Sequence, residues 1–289
     1  SEMCIRDRYY IMTATPRLTS NHALDQFQKY LMTHNKSPNT ICVYRYAVEQ
    51  FYHLYPQLTP RNLQLYKVYL LEHYRPQTVN LRIRALNCYM EYRQASITPV
   101  SMIKIQQKTY LDKIISQADY EYLKRCLAES EEYTYYFIVR LITATGVRIS
   151  ELITFQIEDV HTGHKDIYSK GNKMRRVYIP RGLVRELQEW LAATHRSTGP
   201  LFLNRFHSPI SPSGIRAQFK VFAVRYGLDP EVVYPHSFRH RFAKNFIEKC
   251  GDISLLSDLL GHESIETTRI YLRRSSSEQY RIVNKVVDW

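Results

Sequence analysis

Six side chains with usable chemistry lie between residues 148 and 271. His236 and Arg239 form a His-x-x-Arg element, His262 follows Gly261, and Tyr271 stands nine residues beyond that histidine. Upstream, Arg148 closes the run Thr145-Gly146-Val147-Arg148, and Lys170 precedes Gly171-Asn172-Lys173. A guanidinium keeps its charge at any working pH, and its planar fork matches two oxygens of a phosphoryl group. A phenol with a pKa near 10 lies about 3 units above neutrality, roughly 4 kcal/mol from its phenolate. Tyr271 therefore becomes a nucleophile only beside a base or in a positive field. With 24 tyrosines in the chain, its position rather than its type singles it out. His236 and His240 have the spacing of a metal-binding pair, but no Glu lies between them and no third ligand accompanies them.

These groups need elements to aim them. Phe238, Phe242, Phe246 and Cys250 recur every four residues, which predicts a helix over 237–250 with that stripe in the core and His236 and Arg239 beside it. Tyr133–Thr145 reads as a strongly apolar helix stopped by Gly146. From about Phe155 to Pro180 the period changes, and Ile157, Val160 and the segments flanking Gly171-Asn172 read as short strands joined by a turn. Further helices are expected from Pro180 through Trp190 and at 215–226, 253–260 and 265–273. A tail helix from Glu278 carries Ile282, Val283, Val286, Val287 and Trp289, apolar enough to dock on a neighbouring copy or on its own domain.

Upstream, residues 20–98 show helical spacing in four segments, broken at Ser37-Pro38 and at Pro56 and Pro60. They carry Arg45, Lys67, Arg75, Arg82, Arg84 and Arg93, a basic bundle that an ordinary bundle with a solvated charged face would also produce. Residues 99–115 read as an extended linker. Ser116-x-x-Asp119 resembles a capping box and opens a second domain over 116–289. Residues 1–19 form a leader without periodicity. Its first eight residues resemble translated sequencing-adapter read-through, so the expected native start is Met12.

The chain has 289 residues, 44% of them hydrophobic, which is ample for two cores. Its formal charge is +13, and it is concentrated upstream. Residues 1–110 hold 14 Lys and Arg against 6 Asp and Glu, whereas residues 111–289 hold 26 against 21. A polyanionic partner fits that balance. Five scattered cysteines with no C-x-x-C pair give neither a zinc ribbon nor a disulfide framework. No apolar run approaches the ~20 residues of a membrane span, and a cytoplasmic location is expected.

The order Arg148, Lys170, His236-x-x-Arg239, Gly261-His262 and Tyr271 resembles the signature of the tyrosine recombinase (lambda-integrase-like) family, in its compact Xer-like or mobile-element form. The resemblance implies a mainly α protein with a small antiparallel β-sheet, an N-terminal helical core-binding (SAM-like) domain and a C-terminal catalytic domain. It implies that Arg148 and Arg239 hold a scissile DNA phosphate. His236 would accept a proton, His262 contact a phosphoryl oxygen, and Lys170 protonate the leaving 5′-oxygen, with Lys173 as its competitor. Tyr271 would be the nucleophile, giving a 3′-phosphotyrosyl link and then a Holliday junction. Glu151 and His240 would orient these groups. Arg45, Arg82, Arg84, Lys173, Arg175 and Arg176 are expected on DNA. Expected partners are double-stranded DNA with specific sites and three further copies of the chain, with no cofactor, metal or membrane. In location the protein would be prokaryotic, cytoplasmic and nucleoid-associated. A type IB topoisomerase and a non-catalytic DNA-binding regulator remain as alternatives at this point.

Overall fold

The computed structural model describes residues 21–105, 113–169, 173–262, 264–272 and 283–287. By its internal contacts the chain divides into two compact units, Ser1–Gln107 and Lys108–Trp289.

Among its described residues the first unit has four helices: α1 (Asn21–Thr33), α2 (Pro38–Leu54), α3 (Pro60–His73) and α4 (Pro76–Tyr92). Local chemistry sets two of their starts. The Ser37 and Thr59 hydroxyls accept the amides of Thr40 and Asn62, and a proline follows each in the first turn, where its missing donor is not needed. Phe27, Phe51, Leu63, Tyr66, Leu70, Ile83 and Tyr89 are no more than 2% exposed, and each such burial contributes ~1.5–3 kcal/mol. Phe27 meets Tyr89 edge-on at 5.0 Å and Phe51 meets Tyr66 edge-on at 5.3 Å. The expected linker does not begin at 99. Asn87 exchanges hydrogen bonds with both backbone groups of Val100, and Asn80 with both of Ile103, all at 2.8–2.9 Å. Lys- and Gln-rich composition could not reveal this, because two asparagines on α4 do the holding.

The second unit starts with α5 (Gln117–Glu129), capped by the Ser116 hydroxyl on the Asp119 amide, and α6 (Tyr133–Thr145). Then follow α7 (Ile149–Leu152), α8 (Ile157–Thr162), and the antiparallel strands β1 (His164–Ser169) and β2 (Lys173–Tyr178). Helices α9 (Arg181–Ala193), α10 (Pro212–Arg225), α11 (Pro235–Cys250), α12 (Ile253–Leu260) and α13 (Glu266–Arg269) follow, the last running into a 3-10 turn over Ile270–Leu272. The mainly α class with a two-stranded antiparallel sheet is the expected one.

Two details correct the sequence reading. Ile157 and Val160 lie on α8, not on a strand. Asp159 accepts the Gln156 amide at 2.8 Å, and Gly163 (φ 72°) caps the far end, so helix signals override the short apolar run. The stripe on α11 is also displaced. Phe238, Ala243 and Ile247 are buried, Phe242 and Phe246 are only half-buried, and Cys250 is exposed. At 3.6 residues per turn a four-residue repeat drifts by about 40° each step, so the stripe rotates out of the core. Among the described residues no helix is long and apolar enough to cross a membrane. In the tail, Val283, Val286 and Val287 are exposed, while Ile282 and Trp289 lie outside the described residues.

Candidate active site

Two tight helix ends bring the site together. Helix α6 stops at Gly146 in the left-handed region (φ 66°), where a side chain would also strike the Phe242 ring. The chain then runs extended through Arg148 and turns into α7. Helix α12 likewise stops at Gly261 (φ 61°), and a Cβ there would lie 2.6 Å from the Arg175 guanidinium. His262 follows directly. Helix α11 packs against both α6 and α12 and brings Arg239 between the two ends.

Arg239 is 4% exposed. It donates to the carbonyls of Gly146 (2.5 Å) and Leu260 (2.7 Å) and to His262 Nε2 (3.1 Å). Those carbonyls belong to helix C-termini, where partial negative charge suits a cation. Burial, and after it the charge of Arg148, pulls Arg239 down to about 10, so it stays charged at neutral pH. Arg148 donates to Glu151 (2.9 Å) and to the Gly261 carbonyl (3.0 Å). Glu151 also takes the Arg148 amide at 2.7 Å and both terminal nitrogens of Arg175 at 2.9 and 2.8 Å. Burial alone would raise the Glu151 carboxyl, but hydrogen bonds from Arg175 and Arg148 outweigh it and hold it below the usual range.

Two histidines, His262 and His240, and the tyrosine are uncharged at neutral pH. Burial, then Arg239 and Arg148, pulls His262 down to about 4. Arg239 can only donate, so Nε2 is the acceptor and Nδ1–H donates to Thr268 Oγ1 at 2.8 Å. His240 is pulled to about 4 by burial, then by His236 and Arg239. Its Nδ1 shares a 2.6 Å hydrogen bond with the Tyr271 hydroxyl. Tyr271 is 6% exposed, and burial pushes its phenol up to about 12 against the pull of Arg239.

Five of the six expected groups thus fall into the described residues, and Arg148, Arg239, His262 and Tyr271 converge; Lys170 lies outside the described residues. The histidine at the phenol is His240, not His236. His236 sits one turn earlier and is exposed, its ring centre 6.3 Å from that of His240. Desolvation, then Arg239 and Arg216, disfavours its protonated form. The i, i+4 spacing of the two histidines was visible in the sequence, but their rotation about α11 was not.

The expected DNA-contact residues divide. Arg84 is exposed and Arg45 is shared between Asp25 and Gln28. Arg176 forms an exposed two-pronged pair with Asp166. Arg82 and Arg175 do not fit that role. Arg82 is 4% exposed, its guanidinium carbon 4.8 Å over the Tyr46 ring and 4.5 Å over Tyr74. Arg175 is sealed against Glu151 with 11% of its side chain exposed. Both corrections have one cause: composition cannot show which cations the core absorbs. The Lys173 side chain lies outside the described residues.

The site sits inside a recognisable family. The profile of the Phage integrase family matches residues 104–278. Tyrosine recombinase XerA of Pyrococcus horikoshii is 25% identical over 281 residues, covering 95% of this chain and 96% of its own length. Among solved structures, the Tn1549 transposon integrase in complex with circular intermediate DNA aligns with TM-score 0.72 at 16% identity, over 91% of this chain and 98% of its own. The XerH site-specific recombinase bound to palindromic difH substrate, in a post-cleavage complex, aligns with TM-score 0.70 at 21% identity, over 94% and 86%. At such identities these two show a shared fold. With its arginine cluster and buried tyrosine inside the matched span, the chain belongs to the phage integrase family of tyrosine recombinases.

Proposed function

We propose that this enzyme is a site-specific DNA recombinase or integrase that cuts and rejoins double-stranded DNA through Tyr271, acting as a prokaryotic, cytoplasmic, nucleoid-associated protein. One observation carries the reading. The guanidiniums of Arg148 and Arg175 share a single carboxylate, Glu151, and that of Arg239, held by helix-end carbonyls, lies close enough to feel the charge of both, next to a buried phenol. A cluster with surplus positive charge is a site for an anion. A scissile phosphate, whose charge grows as phosphorus becomes pentavalent, supplies that anion. Relatives caught on DNA favour a duplex as its source.

Arg148 and Arg239 grip the non-bridging oxygens, and the Tyr271 oxygen attacks phosphorus as the bond to the 5′-oxygen breaks. The phenolic proton passes to His240 Nδ1, the ring nitrogen it already faces, with that imidazole protonated at Nε2, and Lys170 protonates the departing oxygen. A 3′-phosphotyrosyl link and a free 5′-hydroxyl result. A partner strand's 5′-hydroxyl reverses the step, which leads through a Holliday junction in a tetramer on two sites. The bond energy is conserved, so no ATP is consumed. In the DNA-free state Tyr271 at about 12 lies about 5 units above neutrality, roughly 7 kcal/mol from its phenolate. His262 cannot donate through Nε2 while that atom accepts from Arg239. A bound phosphate reverses the local field, favouring imidazolium and freeing a donor for a phosphoryl oxygen.

Covalent trapping tests the proposal. The enzyme is incubated in EDTA with a nicked duplex carrying a site selected by binding from a random-sequence pool. A denaturation-resistant adduct, absent with Tyr271→Phe, is the expected result. Clear binding without adduct would sink the catalytic reading and leave a regulator. Adduct formation with relaxation but no strand exchange would identify a topoisomerase.

A further inference from the structure

We propose that Arg175 is a positioning residue for cleavage: by sharing Glu151 with Arg148 it keeps Arg148 available to the phosphate and ties the His262 turn to β2. The inference rests on the function proposed above.

Three contacts carry it. Both terminal nitrogens of Arg175 bind Glu151, at 2.9 Å to Oε1 and 2.8 Å to Oε2. Its Nε donates to the Leu259 carbonyl at 3.2 Å, at the end of α12. Its guanidinium lies so close under Gly261 that no Cβ fits between them. A residue on β2 thus braces the turn that presents His262, and the carboxylate that turns Arg148.

Charge gives the brace its consequence. Glu151 accepts from Arg148 through both the amide and the side chain. With Arg175 present, one carboxylate is divided between two cations. Without it, Glu151 pairs with Arg148 alone, and that pair competes with any phosphate for the same guanidinium. The loss of Arg175 would then also free the Gly261–His262 turn from β2. Arg175 itself needs no contact with DNA.

A double-mutant cycle tests this by single-turnover cleavage of the nicked duplex. Arg175→Gln is expected to lower the cleavage rate about 10²-fold, the scale of a misplaced group, with site binding within about 3-fold of wild type. Arg175→Lys keeps a cation beneath Gly261 but not the two-pronged bond, and it should fall between the two. In a Glu151→Gln background the same Arg175→Gln change should lose less than about 10-fold, because the competing carboxylate is gone. A duplex with a neutral methylphosphonate at the scissile position should likewise narrow the gap, since it makes less demand on Arg148. Equal losses in both backgrounds and on both substrates would mean that Arg175 only packs, and wild-type rates in Arg175→Gln would mean that it does nothing; either overturns the inference alone. No adduct from wild type would instead overturn the proposed function, and this inference with it.

Discussion

Two arginines, one in each unit, are equally buried and differently used. Arg82 and Arg239 are both 4% exposed. Arg82 lies between the Tyr46 and Tyr74 rings and donates to Gln50, so its charge is met by π faces and an amide. Arg239 is met by two helix-end carbonyls and a neutral histidine, with Arg148 and Arg175 close enough to destabilise its charge. The first setting consumes a cation; the second accumulates them. Burial of a guanidinium therefore marks no site by itself. An unbalanced surplus of like charge beside a nucleophile does.

The sharpest way to break this contrast is a pair of substitutions. Arg239→Lys, which keeps charge but loses the fork, should lower single-turnover cleavage by about 10²–10³-fold with little change in thermal midpoint. Arg82→Met should leave cleavage per bound complex within about 2-fold and lower stability by about 1–3 kcal/mol in urea unfolding. A cleavage defect in Arg82→Met as deep as that of Arg239→Lys would erase the distinction.

Acid provides a second test, specific to the catalytic unit. His240 and His262 titrate near 4 when folded, against about 6.5 when unfolded. The unfolded chain binds more protons between those values, so the stability they contribute is present above about 6.5 and is lost as pH falls towards 4. The thermal midpoint should drop over that window, and His240→Gln should flatten the drop. A midpoint independent of pH from 7 to 4 would contradict the buried neutral histidines.

The smallest effects belong to the exposed cations. Arg84→Ala should reduce the salt slope of DNA binding by about 1 and leave stability within about 0.5 kcal/mol. Arg45→Ala should do less, because Asp25 and Gln28 already engage that side chain. An unchanged slope in Arg84→Ala would remove the first unit's expected contact.

Much of the helical framework was legible because its signals are local. Ser37, Thr59 and Ser116 cap the helices that follow them, and Gly146 ends the apolar helix that precedes it. The misreadings arose where a second element decides the outcome. The segment 99–103 is held by Asn80 and Asn87, and the 157–162 run is helical through its caps rather than its apolar residues.

By itself the sequence determined the chemical inventory and its order along the chain: Arg148, His236, Arg239, His262 and Tyr271, with helices to carry them. These follow from residue type and short-range spacing, which fix propensity, capping and charge. Only the tertiary structure decided that His240 meets the phenol, that Arg175 braces Glu151 and that Arg82 is absorbed by tyrosines. Each depends on rotation about a helix axis or on a contact with a residue distant in sequence, such as His240 with Tyr271 or Arg175 with Leu259. One turn of α11 separates the expected histidine from the one that reaches the phenol, and that difference is settled by packing.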